Sequence, residues 1–172
     1  FVGDAIMAFW GAPKPDPDHA RHAVQAALAC SQRLAEKNRE WEARGLPPMP
    51  TRFGLASGEV VVGNIGAASR LSYTVLGDRV NLAARLEGTN KRYGTTVLVS
   101  KRVWENAGDD FVWRRVDRVA VKGKLEAVDI FELLGVTGEV DEETLRFAEA
   151  YEAALDLFQS GEFENARDAA RA

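Results

Sequence analysis

The sequence predicts an α/β sandwich in which helices pack against a mixed sheet. Three observations carry that expectation. Strand-like and helix-like segments are interspersed along the chain instead of falling into separate runs. Hydrophobic residues make up 46% of the 172 positions, enough for a sizeable core. The charge balance also changes near Gly135: residues 136–172 hold ten acids and three bases, against 16 acids and 19 bases elsewhere. The boundary is placed there. Residues 1–135 form a mildly basic part suited to an anionic small molecule, and 136–172 form an acidic helical tail.

Each element has its own signal. Phe1–Trp10 is two short apolar stretches broken by Gly3-Asp4, the pattern of a tight hairpin. Pro13–Pro17 is a proline-rich connector. Asp18 then offers an N-cap to a helix whose Ala20, Val24, Ala27, Leu28, Leu34 and Trp41 recur at helical spacing. Gly45, followed by Pro47, Pro48 and Pro50, ends it. Thr51–Asn64 reads as strand, turn and strand, with Gly58, Gly63 and Gly66 taken as turn residues, and Leu71–Leu76 as another strand. Asp78 is expected to cap a helix reaching about Arg92. Thr95–Ser100 is a strand, Lys101–Ala107 a short helix, and Phe111–Leu134 two or three strands around a Gly123 turn. From about Asp141 the tail reads as two helices broken at Ser160-Gly161.

Composition narrows the function. A net charge of −4 argues against a nucleic-acid polymer as partner, because such binders usually carry a basic excess. The single cysteine, Cys30, cannot form an internal disulfide and is expected in the core, in a reducing, cytoplasmic setting. No apolar run approaches the roughly 18–20 residues that span a bilayer, so no membrane contact is expected from this segment. The chain opens without Met inside an apolar pattern. It is therefore expected to be part of a longer protein, with any membrane tether upstream.

Few residues suggest chemistry by themselves. Asp4, at the expected hairpin tip, reads either as a turn former or as a carboxylate for a hard cation, and one carboxylate is too few for a site. Asn81 and Arg85 lie four apart and share a helix face. That face is either a solvated stripe or a group that orients and neutralises a phosphate, since Arg offers a charged planar fork of donors. Arg52 and Lys122 are two further cations that gain meaning only by converging with other residues. His19 and His22 have no Cys or third His nearby, so a zinc site is not expected. No Walker A loop, Rossmann fingerprint or Ser/His/Asp set is readable.

Taken together, four strings resemble the class III nucleotidyl cyclases, the adenylate/guanylate cyclase catalytic domain, in its bacterial subtype. They are Phe-Val-Gly-Asp-Ala-Ile-Met-Ala-Phe-Trp-Gly (1–11), Arg-Phe-Gly-Leu-Ala-Ser-Gly (52–58), Tyr-Thr-Val-Leu-Gly-Asp-Arg-Val-Asn-Leu-Ala-Ala-Arg-Leu (73–86) and Val-Lys-Gly-Lys (121–124). They occur in the family's order over residues 1–134, and the 73–86 string is the most specific.

The resemblance implies a ferredoxin-like mixed sheet with helices packed on it, lacking the family's first strand and the two helices after it. It implies conversion of ATP to 3′,5′-cyclic AMP and pyrophosphate with two Mg²⁺ or Mn²⁺ ions. Asp4 then looks like the second metal aspartate, and Arg52 like a triphosphate contact. Thr74 falls where the purine edge is read, and as Thr it favours ATP. Asn81 would orient the ribose, Arg85 would stabilise charge on the α-phosphate, and Lys122 would bind the terminal phosphates. Asp4 and Arg52 belong to one half-site and Thr74, Asn81, Arg85 and Lys122 to the other, which implies a homodimer. The first metal aspartate and the purine-reading lysine have no counterpart here, so the isolated chain is expected to be inactive. The alternatives are a guanylate cyclase and a non-catalytic cyclase-like module that binds a nucleotide or a partner. In the tail, Leu155–Ala166 resembles the turn of a tetratricopeptide-type helix pair; a plain helical appendage fits equally.

Overall fold

The computed structural model describes residues 5–67, 70–120 and 127–171. Its elements are α1 (His19–Glu42), β1 (Phe53–Leu55), β2 (Val61–Ala67), β3 (Arg70–Leu76), α2 (Asp78–Tyr93), β4 (Val97–Ser100), α3 (Lys101–Asn106), β5 (Phe111–Ala120), β6 (Ala127–Val136), α4 (Glu142–Gln159) and α5 (Phe163–Ala169). Four strands form one sheet in the order β1-β4-β6-β5, and β2 pairs with β3 in a separate ribbon. β1 and β4 run parallel, whereas β4–β6 and β5–β6 are antiparallel. The sheet is mixed, as expected.

Strand β4 shows why this sheet is a middle layer. Successive side chains point to opposite faces. Val97 and Val99 enter a cluster with Val24 and Ala27 of α1, Val103 of α3, and Phe111, Phe131 and Leu133. Leu98 enters the other, with Leu82 and Leu86 of α2, Val116 and Ile130. So α1 and α3 cover one face and α2 the other.

Two residues fix α2 against the sheet edge. A Cβ on Gly54 would lie 2.1 Å from the Ala83 carbonyl oxygen and 2.3 Å from the Glu87 nitrogen, so only glycine lets β1 run this close beneath the helix. Asn90 is fully buried. Its amide donates to the Phe53 and Leu86 carbonyls, each at 2.9 Å, and its oxygen accepts from the Thr95 hydroxyl at 2.8 Å. The buried amide is thus fully partnered.

Tyr93, at the end of α2, donates its hydroxyl to Asp117 on β5. Burial, and then this bond, push its pKa from the ordinary 10.0 up to about 12. A raised folded-state value stabilises the fold below the unfolded pKa, and that contribution is lost as pH rises through about 12. An ultraviolet phenolate titration is expected to show a component near 12 that disappears in Tyr93→Phe. A titration in which that component survives the substitution would refute the assignment.

The tail docks on the sheet. Asp141 caps α4 by accepting from the Thr144 amide at 2.8 Å. Tyr151 donates to the Val116 carbonyl at 2.8 Å. Arg114, paired with Glu132 at 2.5 Å, lies 4.9 and 4.5 Å from the Phe147 and Tyr151 ring centroids, a stack of cation on aromatic faces. Burial raises the Glu132 pKa, and Arg114 opposes the shift. Helix α5 folds back through an edge-to-face Phe158–Phe163 pair.

Several local expectations give way. Of the opening hairpin, Phe1–Asp4 lie outside the described residues; after the bridge residue Ala5, residues 6–9 are in no regular element. Ile6 is 77% exposed there. Gly77, not Asp78, is the N-cap of α2, and Asp78 occupies the first turn, where its charge meets the positive end of the helix. Asp18 is the N-cap residue of α1 but makes no side-chain capping bond. Cys30 is exposed, not in the core, because it sits about 240° round the helix from the buried Val24. Gly63 and Gly66 lie inside β2, not in turns. The Gly123 turn falls outside the described residues. Among the described residues no helix is long and apolar enough to cross a membrane.

Candidate active site

Helix α2 sorts its residues by the angle each takes round the axis. Leu82, Leu86 and Asn90 repeat every four residues and are buried against the sheet. Asn81 and Arg85 also lie four apart, one position earlier, and both are exposed. The 100° step per residue therefore aims the amide and the guanidinium outward, one turn apart. Among the described residues Arg85 joins no ion pair. A charged fork of donors on a rigid helix, without an acidic partner, is available to an anion.

Thr74 is half-buried on β3, opposite Gly63 of β2, four residues before α2 begins. Phe9, in the segment after Asp4, lies with its ring 6.1 Å from that of Tyr73. The chain after Asp4 thus passes beside the strand that carries Thr74.

Arg52 lies elsewhere. It lines a cavity of about 330 Å³ between α1 (Leu34, Asn38) and the far end of α2 (Asn90, Lys91). Asn90 is about 14 Å along the helix axis from Asn81. One chain therefore does not bring Arg52 to the Asn81–Arg85 face. Asp4 and Lys122 lie outside the described residues. Among the described residues no group of three or more His, Cys, Asp or Glu could hold a metal ion, so these residues by themselves do not make the expected cation site.

The structure also joins residues that the sequence leaves apart. Ser57 is buried at 7% exposure, and its hydroxyl lies 2.8 Å from Nε2 of His19, which is 38 positions away. Nδ1 of His19 lies 3.0 Å from the Asp16 carbonyl oxygen, and Nδ1 of His22 lies 2.8 Å from the Asp16 carboxylate. That carboxylate is held below its ordinary pKa by the His22 bond first. Only the Asp-x-x-His-x-x-His spacing hinted at a cluster, and nothing local tied it to Ser57.

Residues 1–135 match the family model described as the adenylate and guanylate cyclase catalytic domain. The chain belongs to the class III nucleotidyl cyclase family. Adenylate cyclase 1 of Rhizobium meliloti (strain 1021) is 46% identical over 141 residues, 82% of this chain and 21% of that protein's length. The chain therefore spans about a fifth of that relative. Two solved cyclases share the architecture. The adenylyl cyclase CyaB from P. aeruginosa superposes with a TM-score of 0.71 at 30% identity, covering 82% of this chain and 72% of its own. The guanylyl cyclase Cya2 does so with a TM-score of 0.68 at 35% identity, covering 81% and 70%. Both purine specificities thus occur among the cyclases that this domain resembles.

Proposed function

We propose that the domain converts ATP to 3′,5′-cyclic AMP and pyrophosphate within a homodimer. The observation that carries this reading is the exposed pair Asn81 and Arg85, one turn apart on α2 with no acidic partner for the guanidinium among the described residues. In the reaction the substrate's 3′-oxygen attacks the α-phosphorus, and the bond from that phosphorus to the β-phosphate bridging oxygen breaks. Charge grows on the phosphoryl oxygens, and a preorganised guanidinium facing them lowers the barrier. Asn81, fixed beside it, can donate to and accept from the ribose. Thr74 offers a hydroxyl to the purine edge, and its identity favours adenine. When bound, Mg²⁺ or Mn²⁺ would activate the 3′-hydroxyl and neutralise the triphosphate. The described residues supply no such site, so no step here is routed through it. Arg52, which lines a different cavity of its own chain, belongs in this reading to the opposite half-site, where it would contact the triphosphate bound across the dimer.

Exposed apolar residues support the dimer. On the β2–β3 ribbon Val61 is 69%, Leu71 59%, Tyr73 52% and Leu76 52% exposed. Val61 and Leu76 pair across the ribbon on one face, and Leu71 and Tyr73 lie on the other, so both faces expose apolar surface that a protein partner could cover. A second copy docked on the ribbon by a two-fold axis would create two equivalent sites, each drawing residues from both protomers.

The deciding experiment assays ATP and GTP in parallel, with and without Mn²⁺. It uses both the 172-residue chain and an upstream-extended form that adds an aspartate-bearing strand. Cyclic AMP from the extended form, with none from the shorter chain, is expected. A strong GTP preference would overturn the purine assignment. Nucleotide binding without turnover in every form would favour the non-catalytic module.

A further inference from the structure

We propose that His19 is a positioning residue for the Asn81–Arg85 face, acting through Ser57; the inference rests on the reading that this face serves turnover. The chain of contacts is short. The Asp16 carbonyl can only accept, so the Nδ1 bonded to it at 3.0 Å carries the proton. In the neutral ring Nε2 is then an acceptor, and the Ser57 hydroxyl donates to it across 2.8 Å. Ser57 is too deeply buried, at 7% exposure, to meet a substrate. This separates the pair from a serine nucleophile with its base, which needs an accessible oxygen. The bond instead anchors the loop between β1 and β2 to the first residue of α1.

The next residue carries the effect to α2. Gly58 has φ +151, and a Cβ there would lie 2.7 Å from Nε and 2.9 Å from Cγ of Arg79. The Arg79 side chain therefore lies against this loop, in the first turn of α2, two residues before Asn81. A loop released from His19 would let that turn shift. Displacements of about 1 Å at a reacting centre can cost up to roughly 10²-fold in rate.

The test uses four single variants. His19→Gln can still reach Ser57 with an acceptor and Ser57→Thr keeps the hydroxyl, whereas His19→Ala and Ser57→Ala remove the bond. In the upstream-extended form, the two Ala variants are expected to lose about 10- to 100-fold in kcat with KM nearly unchanged, and the Gln and Thr variants to recover most of it. In the 172-residue chain, the Ala variants are expected to speed amide hydrogen exchange across residues 56–60 and 78–86 while leaving β4 and β6 protected. Equal losses in kcat and affinity, or no recovery by Gln and Thr, would overturn the proposal. If the unsubstituted extended form makes no cyclic nucleotide, the functional reading fails by itself. The exchange measurement then decides the tie alone, and unchanged protection over 78–86 in His19→Ala refutes it.

Discussion

Arg85→Ala is expected to lower turnover by about 10²–10³-fold while leaving substrate affinity nearly unchanged. The split follows from where the guanidinium sits. Arg85 is exposed on α2 and packs into no cluster, so its removal leaves the fold intact. The buried anchors of the helix, Leu82 and Leu86, lie on its other side. Arg85 contributes most where charge accumulates during phosphoryl transfer, and an interaction made mainly in the transition state appears in kcat, not in binding. Arg85→Lys would keep the charge but lose the planar fork and should recover only part of the rate. Steady-state kinetics on the upstream-extended form, paired with nucleotide binding, check this. A parallel loss of binding and turnover would assign Arg85 to ground-state recognition and remove the central element of the proposed mechanism.

Gly54→Ala is expected to destabilise the domain by about 3 kcal/mol, with each kcal/mol worth roughly 2–4 °C in Tm at this chain length. The added methyl would meet the Ala83 carbonyl oxygen at 2.1 Å and the Glu87 nitrogen at 2.3 Å. Both are backbone atoms held by the ladder of α2, so neither can rotate away. Either the helix lifts from β1 or the strand moves off β4. Both motions disturb the Asn90 bonds that close the C-terminal end of α2. Thermal melting followed by circular dichroism reads the effect. An unchanged melting temperature would mean that β1 and α2 do not approach this closely in solution. Gly63→Ala is the matched control, because nothing lies within 4 Å of a Cβ built there.

These two positions also separate what a linear reading can find from what it cannot. Gly54 and Arg85 both belong to strings that resemble the cyclase family, yet only Arg85 announces a chemistry through its side-chain type and its spacing from Asn81. The purpose of Gly54 is visible only once Ala83 and Glu87 stand over it, since the space a residue must leave free is a property of its neighbours. The resemblance assigns Arg52 to the half-site opposite Asn81 and Arg85; its place in the cavity between α1 and the end of α2 is visible only in the fold.

The sequence by itself determined the order and type of most elements, because periodicity and turn chemistry are local. The 3.6-residue repeat of α2 and the short apolar, mostly β-branched run at Val97–Val99 need no partner to be legible. It also determined the family, through side-chain types in a long specific string. Tertiary structure decided everything that depends on pairs far apart in the chain. It paired β1 with β4 in parallel, bonded His19 to Ser57, laid α4 over Arg114, and turned Cys30 outward although the run Ala26–Ala29 before it is apolar. Burial and hydrogen-bond partnership are set by which surfaces meet, and no stretch of chain specifies that alone.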